Sequence, residues 1–131
     1  MKTFVNIAKS VFASVVTFLT YSFGGFDAAI VTLFVFMVLD YVTGVAAAAF
    51  TKTLSSEIGF KGILRKLSIL ACVMVAVFLD RLTTGDGWVF RTLFCYFMIA
   101  NEGLSILENA GKMGVPLPQK LLDALKQLKE E

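Results

Sequence analysis

Residues 28–50 read AAIVTLFVFMVLDYVTGVAAAAF, an apolar run with one charged side chain, Asp40. The hydrocarbon core of a bilayer is about 30 Å thick and is crossed by about 20 apolar residues in a helix, so this run is long enough to span it. Backbone groups in lipid must be hydrogen-bonded within the segment, and the run lacks the alternating pattern of a membrane barrel strand. The stretch therefore predicts an all-α integral membrane protein.

Three further apolar runs flank this segment, at about residues 4–23, 63–82 and 88–107. Glycine-rich or polar breaks at 24–27, 51–62 and 83–87 separate the runs and are typical of turns. The pattern predicts four transmembrane helices within a domain at residues 1–114. The count falls to three if the first run, which Asn6 and Lys9 interrupt, lies in the membrane interface.

A different pattern begins at residue 115. Pro116 and Pro118 indicate a stiff linker, after which leucines recur at helical spacing beside charged residues. The leucines are Leu117, Leu121, Leu122, Leu125 and Leu128, and the charged residues are Lys120, Asp123, Lys126 and Lys129. Residues 115–131 are therefore predicted to form a short cytoplasmic amphipathic helix, which lies on the membrane, packs on neighbouring tails or binds a partner.

Composition excludes several classes of function. Hydrophobic residues make up 57% of the 131 residues and charged residues 17%, a surplus of apolar surface that one small soluble core cannot hide. The chain has no histidine and two cysteines, which argues against an enzyme, a metal site or a cofactor. We expect Cys72 and Cys95 to be buried small residues. A net charge of +2, scattered between apolar runs, argues against nucleic acid.

The positions of lysine and arginine predict the orientation. With four spans, ten basic residues fall on one side and two, Arg81 and Arg91, on the other. The ten are Lys2, Lys9, Lys52, Lys61, Arg65, Lys66, Lys112, Lys120, Lys126 and Lys129. Because basic residues in short loops remain cytoplasmic, both termini and the second loop are predicted to be cytoplasmic.

Polar residues in the first run recur every three or four positions and predict a stripe along one side of the helix. The stripe comprises Asn6, Ser10, Ser14, Thr17 and Tyr21. Such a stripe packs against a neighbouring helix, satisfies carbonyls of its own helix or lines water. These five residues are therefore the candidates for lining a pore.

Two acids lie deep within the predicted spans. At about 1.5 Å per residue, Asp40 lies about 18 Å and Glu102 about 21 Å from the outer ends of their helices, so they share a level. A charge there costs at least about 2.5 kcal/mol, so both should face protein or water. They either share a proton or are neutralised by Arg65 and Lys66, with Asn101 as a further hydrogen-bonding group. The cluster is either structural or part of an aqueous path.

Two further sets of residues are singled out by position. Asp80, Arg81, Asp86 and Arg91 bracket the third loop, beside Trp88 at the expected interface, and predict a set of ion pairs facing outward. Gly44 and Ala48 form a small-xxx-small pair at which helices approach closely, a pattern that favours oligomers.

Several stretches together resemble the bacteriophage holin family, which also includes clostridial toxin-secretion holins. They are DYVTG at 40–44, LSSEIGFKGI at 54–63 followed by Arg65 and Lys66, and NEGLSILEN at 101–109 followed by GVPLP at 114–118. The resemblance covers about residues 28–131, whereas the first run is only generically similar. Members of this family are usually described with about three spans.

The resemblance implies a non-enzymatic protein of the bacterial cytoplasmic membrane that forms homo-oligomers within the lipid bilayer. Such oligomers open lesions through which an endolysin, or in toxin-linked relatives a toxin, leaves the cell. We expect Ser10, Ser14 and Thr17 to line the open lesion and the other three spans to form its wall. Asp40 and Glu102 would hold that wall together or set the triggering threshold.

Two alternatives remain open on the sequence. In a small oligomeric ion or solute channel or transporter, Asp40 and Glu102 form a selective ring or proton relay. In a structural membrane subunit, the tail helix anchors a partner. Release of large cytoplasmic protein on expression distinguishes a holin from a channel, and removal of residues 118–131 tests the anchor.

Overall fold

The computed structural model describes residues 1–83, 85 and 87–130, without the side chains of residues 125 and 128–130. This part of the chain forms five helices, and the structure is all-α as predicted. They are α1 (Lys2–Phe23), α2 (Ala28–Phe50), α3 (Ser56–Thr83), α4 (Val89–Lys112) and α5 (Gln119–Glu130). We name the two ends of the bundle by residues in their turns: the Gly24 end joins α1 to α2 and α3 to α4, and the Lys52 end joins α2 to α3.

Helix α4 lies at the centre of the bundle, packed along α2 and against α3. Its buried residues include Cys95, Met98 and Glu102. The main hydrophobic core lies where α2, α3 and α4 meet and extends to the last turn of α1. Its buried members are Phe23, Ile30, Leu33, Met37, Ile69, Val73, Val77, Cys95 and Met98. Helices α2 and α3 make far less contact with each other than either makes with α4.

Within the part of the chain that the structure describes, helix α1 contacts the bundle only through its last turns. Residues 2–18 are all exposed, and burial begins at Leu19 and is complete at Ser22 and Phe23. Near the Gly24 end, the ring of Tyr21 meets that of Phe78 of α3 edge to face, with centroids 6.0 Å apart. Most of α1 therefore stands apart from the other helices.

Local signals explain where the helices begin and end. Gly24 ends α1 in a left-handed conformation (φ 74°), and the next amide, of Gly25, donates to the carbonyl of Thr20 at 2.8 Å. Asp27 starts α2 by accepting a hydrogen bond from the amide of Ile30 at 3.2 Å. The glycine-rich turn and its acid thus separate two long helices within four residues.

Helix α2 coincides with the apolar run at 28–50, whereas α3 and α4 extend beyond the runs at about 63–82 and 88–107. Helix α3 begins at Ser56, seven residues before the expected 63, and α4 extends to Lys112 rather than 107. The extra turns are polar, as at the Glu57–Lys61 pair (3.1 Å), so a hydropathy window excludes them although they are helical. Helical propensity continues beyond the apolar run.

Among the described residues, three helices are long and apolar enough to cross a membrane, namely α1, α2 and α3. Helix α4 is not among them, although it was the fourth predicted span. Its Arg91 and Glu102 lower its hydropathy, but both are buried inside the bundle, where a charge is tolerated, while Leu93 and Tyr96 on its outer side are exposed. The tail does form a helix, α5, but the side chains of Leu125, Leu128 and Lys129 lie outside the described residues.

Candidate functional site

A cluster of three charged side chains joins α2, α3 and α4; we call it the Lys66 cluster. The amine Nζ of Lys66 lies 2.7 Å from Oδ2 of Asp40 and 2.7 Å from Oε2 of Glu102. Glu102 is buried, and the other two side chains are less than a fifth exposed. One cation thus bridges two carboxylates at a depth where a lone charge would be costly.

Asn109 completes the hydrogen bonding of Asp40. Its Nδ2 donates to Oδ1 of Asp40 at 3.1 Å and to Oγ1 of Thr43 at 3.0 Å. The hydroxyl of Thr43 in turn donates to the carbonyl of Leu39 at 2.7 Å. Both oxygens of the Asp40 carboxylate are therefore hydrogen-bonded, one to α3 and the other to α4.

For Asp40 and Glu102 the sequence left two alternatives open, a shared proton or neutralisation by a basic side chain. In the structure both carboxylates form salt bridges to a basic side chain. Of the two basic residues considered, Lys66 makes the contact, whereas Arg65 is exposed. Asn101 is half-buried next to Glu102 in the chain. It lies about 100° around α4 from the face that carries Glu102 and Asn109, and the amide that binds Asp40 is that of Asn109.

A second cluster lies at the Gly24 end and is built around Arg91, whose side chain is only 3% exposed. Its Nη1 and Nη2 bind the two oxygens of Asp27 at 2.8 and 2.9 Å, and its Nε donates to the carbonyl of Phe23 at 2.7 Å. Nη2 also donates to the carbonyl of Gly25 at 3.1 Å. The paired geometry fixes the α1–α2 turn to the start of α4.

Asp80 holds the same end of α4 from the side of α3. Its two oxygens accept hydrogen bonds from the backbone amides of Phe90 (2.9 Å) and Arg91 (2.8 Å). A carboxylate is stabilised at the first turn of a helix, where amides lack intrahelical partners. This fully buried acid therefore ties the end of α3 to the beginning of α4.

Arg81 connects α3 to α1. Its Nη2 donates to the carbonyl of Tyr21 at 2.6 Å, and its guanidinium carbon lies 3.7 Å from the centroid of the Tyr21 ring. The ring of Trp88 lies 5.5 Å from the Arg81 guanidinium and 5.6 Å from that of Arg91. Two arginines thus approach carbonyls in the last turn of α1, where the helix dipole favours positive charge.

The expected ion pairs at this end are partly replaced by other contacts. Asp80 binds amides of α4, and the partner of Arg91 is Asp27, which the prediction did not include. Asp86, which it did include, lies outside the described residues. The paired arginine holds the pKa of Asp27 below its usual range, chiefly through their hydrogen bond.

The polar stripe of α1 is exposed along its length. The hydroxyl of Ser14 donates to the carbonyl of Ser10 at 2.9 Å, and that of Thr17 donates to the carbonyl of Ala13 at 2.8 Å. Tyr21, at the end of the stripe, packs against Arg81 and Phe78. The structure thus leaves Asn6, Ser10, Ser14 and Thr17 available to lipid, protein or water.

Other predicted positions lie within the bundle. A side chain at Gly44 would approach Nδ2 of Asn109 at 3.5 Å, so this glycine packs against α4 of the same chain, and Ala48 is half-buried one turn later. Cys95 is buried as expected, whereas the expectation for Cys72 was wrong because it is exposed on the outer side of α3. Within the described residues no group of His, Cys, Asp and Glu is arranged to hold a metal ion.

Two important residues were not singled out from the sequence. Asp27 follows two glycines and precedes an apolar run, which is the signal for a helix N-cap, but its pairing with Arg91 depends on tertiary packing. Asn109 lies seven residues after Glu102 and hence on the same face of α4. That spacing places it on the side of Glu102, but its contact with Asp40 depends on how α2 packs along α4.

Residues 17–130 match the family described as the bacteriophage holin family. A protein described as an uncharacterized 14.9 kDa protein in the nagH 3′ region of Clostridium perfringens is 49% identical over 128 residues, which cover 98% of this chain and 97% of that protein. A second uncharacterized protein of Clostridium perfringens (strain 13 / Type A) is 54% identical over 112 residues, covering 86% and 83% of the two chains.

More distant organisms contain similar proteins. An uncharacterized protein of Listeria monocytogenes is 41% identical over 101 residues, covering 77% of this chain and 71% of the relative. No solved structure matches the chain. The family match extends from the end of α1 to the tail helix and includes both charged clusters. The chain therefore belongs to the bacteriophage holin family.

Proposed function

We propose that this chain is a lesion-forming holin: copies assemble in the bacterial cytoplasmic membrane and open holes that release an endolysin or a toxin. The observation that carries the proposal is the state of α1. This helix is long and apolar enough to span a membrane, yet residues 2–18 stay exposed instead of packing into the chain's own bundle. Family membership supports the assignment to holins.

In the proposed assembly all four long helices cross the membrane, with both termini and the loop between α2 and α3 in the cytoplasm. The distribution of lysine and arginine supports this orientation, because ten of the twelve basic residues then share the cytoplasmic side. Helix α5 then lies at the cytoplasmic surface. The Gly24 end, with its buried arginine, faces outward.

The polar stripe of α1 suits two environments. Because the hydroxyls of Ser14 and Thr17 donate to carbonyls of their own helix, the stripe carries few unsatisfied donors when packed in a raft. Their oxygens still accept hydrogen bonds from water when copies rearrange around a hole. One sequence can thus support a closed and an open packing.

The Lys66 cluster favours a structural role for the deep acids over a selective ring. Asp40 and Glu102 each bind the same lysine within one subunit, so neither is directed at a shared pore. In this proposal they hold α2, α3 and α4 together as the wall of the lesion. Release of large cytoplasmic protein on induction distinguishes this function from a selective channel, which passes only ions or small solutes.

Substitution of Ser10, Ser14 and Thr17 together by leucine tests the proposed lining. The variant is expected to insert normally but to abolish lysis, because leucine cannot line a water-filled hole. A matched control replaces Val5, Val11 and Val15, on the apolar side of the same helix, by leucine and should lyse cells. Turbidity and release of a large cytoplasmic enzyme are measured after induction; unchanged timing in the first variant would refute the proposed lining.

The tail provides a second test of function. Removal of residues 118–131 is expected to leave macromolecule release possible, because the residues proposed to form the hole lie in α1–α4. Loss of a partner's membrane localisation with unaltered permeability would instead support a structural anchor. Enzyme release is measured together with membrane fractionation of the shortened chain.

A further inference from the structure

Asn101 is a polar side chain near the middle of α4 that the described part of the chain leaves without a hydrogen-bond partner. It is half-buried, and neither polar atom of its amide is enclosed by the bundle. At about 1.5 Å per residue it lies about 20 Å from the Gly24 end of α4, close to the level of Glu102. Because hydrocarbon offers no hydrogen bonds, a transmembrane α4 requires a polar group opposite this amide.

Asn101 belongs to a line of side chains along α4, which we call the α4 seam; the line comprises Phe90, Phe94, Phe97 and Asn101. Its members are separated by four, three and four residues, the spacing at which two parallel helices pack side by side. At 100° per residue they fall within about 60° of one another, and about 90° around α4 from the buried Cys95 and Glu102. Phe90 and Phe97 are 43% and 42% exposed, so the chain leaves much of the seam uncovered.

The same line continues at the Lys52 end of the bundle into two charges of opposite sign. Glu108 and Lys112 are exposed and form no ion pair among the described residues, and both lie about 20° around α4 from Asn101. They are about 6 Å apart along the helix axis, a distance that a lysine side chain spans. If two parallel copies of α4 met about a two-fold axis, Glu108 of each would approach Lys112 of the other. The surface thus complements itself in charge.

A second copy of the chain meets these requirements together. A two-fold axis along the membrane normal brings Asn101 opposite an identical amide at the same depth, and an amide both donates and accepts, so the two form reciprocal hydrogen bonds. Acyl chains offer no such group. Helix α1 of another copy offers Ser10 at about this depth, but its end carries Lys2, which would face Lys112 as well as Glu108.

We infer that two copies pair through their α4 seams, in parallel and about a two-fold axis, with the Asn101 amides hydrogen-bonded to each other. One polar residue within an apolar seam fixes the register of the two helices. Because a two-fold contact closes on itself, it produces dimers, and a larger assembly joins these dimers through other surfaces. This inference rests on the proposed function, in which α4 spans the membrane, and it specifies the unit from which the lesion is built.

Disulfide formation between identical chains tests the pairing. Phe97→Cys introduces a thiol on the seam one turn from Asn101, whereas the control Tyr96→Cys introduces it about 140° away around α4. Both variants carry Cys72→Ser and retain Cys95, which is fully buried. Tyr96 is the more exposed of the two side chains, so access of the oxidant alone would favour the control.

Membranes from induced cells are treated with a membrane-permeant oxidant, and disulfide dimers are separated from monomers without reduction. Phe97→Cys should give several-fold more dimer than Tyr96→Cys. Equal yields, or more dimer from Tyr96→Cys, overturn the inference, because the seam would then not face a second copy.

The role of Asn101 is tested in the Phe97→Cys, Cys72→Ser chain. Asn101→Leu should lower the dimer yield several-fold by removing the reciprocal hydrogen bonds, whereas Asn101→Gln, which keeps an amide, should retain most of it. Since the described part of the chain gives Asn101 no hydrogen bond, Asn101→Leu should leave the unfolding midpoint of the bundle in detergent unchanged. An unchanged yield with leucine, or equal losses with leucine and glutamine, contradicts pairing through Asn101.

The charges at the Lys52 end provide a test that leaves the interior of the bundle intact. In the Phe97→Cys, Cys72→Ser chain, Glu108→Lys and Lys112→Glu each bring like charges together in the dimer and should lower the yield about twofold or more. The two changes combined restore both pairs in reversed order and should restore the yield. A double variant that forms no more dimer than the single variants would show that the two residues do not face each other across the pair.

Release of a large cytoplasmic enzyme, measured in the same cells, separates this inference from the proposed function. Enzyme release by a Phe97→Cys chain that forms no more dimer than the Tyr96→Cys chain refutes pairing through α4 and leaves the holin function in place. Preferential dimer formation, with no release from cells in which the wild-type chain has accumulated, refutes the holin function and leaves the pairing in place. Preferential dimer formation together with release supports both.

Discussion

Lys66 joins three helices in the interior of the bundle. It donates to carboxylates of two different helices from a third, so one side chain neutralises charge on both of its neighbours. Such an arrangement contributes little net free energy when complete, because bringing the charges out of water offsets most of their attraction. Removing one partner, however, leaves a buried charge without compensation.

Replacement of Lys66 by methionine is expected to destabilise the bundle by about 3–5 kcal/mol, since Asp40 and Glu102 would then face each other unpaired. Lys61→Met is the matched control, because it removes an exposed pair with Glu57 worth less than about 1 kcal/mol. Thermal unfolding in detergent, followed by helical circular dichroism, gives the two midpoints. Equal midpoints for the two variants would contradict a central role for Lys66.

Asp27 predicts a pH dependence at the Gly24 end. Its pKa is lowered in the folded chain by the hydrogen bond from Arg91, so folding favours the ionised form. The pair therefore stabilises the fold above the unfolded pKa of about 4, and this contribution is lost as the pH falls through the lower folded value. Since Asp27 is about half exposed, solvent weakens the effect.

Unfolding midpoints measured from pH 7 to pH 3 should therefore fall less steeply for Asp27→Asn than for the wild-type chain. Asp123→Asn serves as the control, because Asp123 is exposed on α5 and accepts a hydrogen bond from Gln119 of the same helix. It should retain the wild-type slope. If all three curves run parallel, Asp27 does not contribute to acid stability.

Helix α1 is joined to the rest of the chain through a single turn, and Gly24 decides the geometry of that turn. The residue has φ 74°, and a methyl group on its Cα would lie 3.0 Å from Nε of Arg91. Backbone conformation and close packing thus both require glycine at this point. The direction in which α1 leaves the bundle is set where Arg91 holds the carbonyl of Phe23.

Gly24→Ala should be more destabilising than Gly114→Ala. Gly114 also has a positive φ of 88°, but a methyl group on its Cα would have no atom within 4 Å, so this change carries only the backbone cost of about 1–2 kcal/mol. At Gly24 the same cost is increased by displacement of the Arg91 guanidinium. Chemical unfolding in detergent compares the two variants; equal losses would show that Arg91 yields freely.

The sequence predicts the bounds of a helix best when the limits of the apolar run are also the limits of the helix. Helix α2 is apolar except at the level of Asp40, and it begins and ends with the apolar run at 28–50 because the Asp27 cap and the Thr51 turn coincide with the limits of that run. Helices α3 and α4 continue into polar turns that hydropathy does not register. The depth of Asp40 and Glu102 was predictable from residue counts, since straight helices translate sequence separation into depth.

Side-chain partners were less predictable. Counting residues brings Arg65 and Lys66 to similar depth, but they differ by 100° around α3, and only packing against α4 selects Lys66. The Arg91–Asp27 pair joins residues far apart in sequence through a turn whose direction depends on Gly24. Which side of a helix faces protein and which faces lipid is decided by the assembled bundle rather than by any one run.

At the scale of the whole molecule, charge is distributed according to what surrounds each helix. Helix α4 carries Arg91 and Glu102 on its buried side, whereas the outer sides of α2, α3 and α4 are all predominantly apolar. Helix α1 is the exception, because its Lys9 and its stripe are exposed although it is long and apolar enough to span. Three helices thus satisfy one another within the chain, and the fourth depends on its environment.

The environment of α1 makes the orientation of the chain testable. If α1 spans, residues 3 and 26 lie on opposite sides of the membrane; if it lies in the interface, both face outward, because α2 then leads inward from the same surface. Thr3→Cys and Phe26→Cys are each combined with Cys72→Ser in the variant in which Ser10, Ser14 and Thr17 are leucine. Under the proposed function this variant opens no hole, so the membrane stays closed during the measurement. Both positions are exposed.

An impermeant thiol reagent added to intact cells should label Phe26→Cys at once and Thr3→Cys only after the membrane is permeabilised. Thr53→Cys, in the loop between α2 and α3, is the internal control and should behave like Thr3→Cys, because the basic residues place both on the cytoplasmic side. Labelling of Thr3→Cys in intact cells, with Thr53→Cys protected, would show that α1 stays in the outer interface. The hole would then have to be built from α2, α3 and α4, and the polar stripe could not line it.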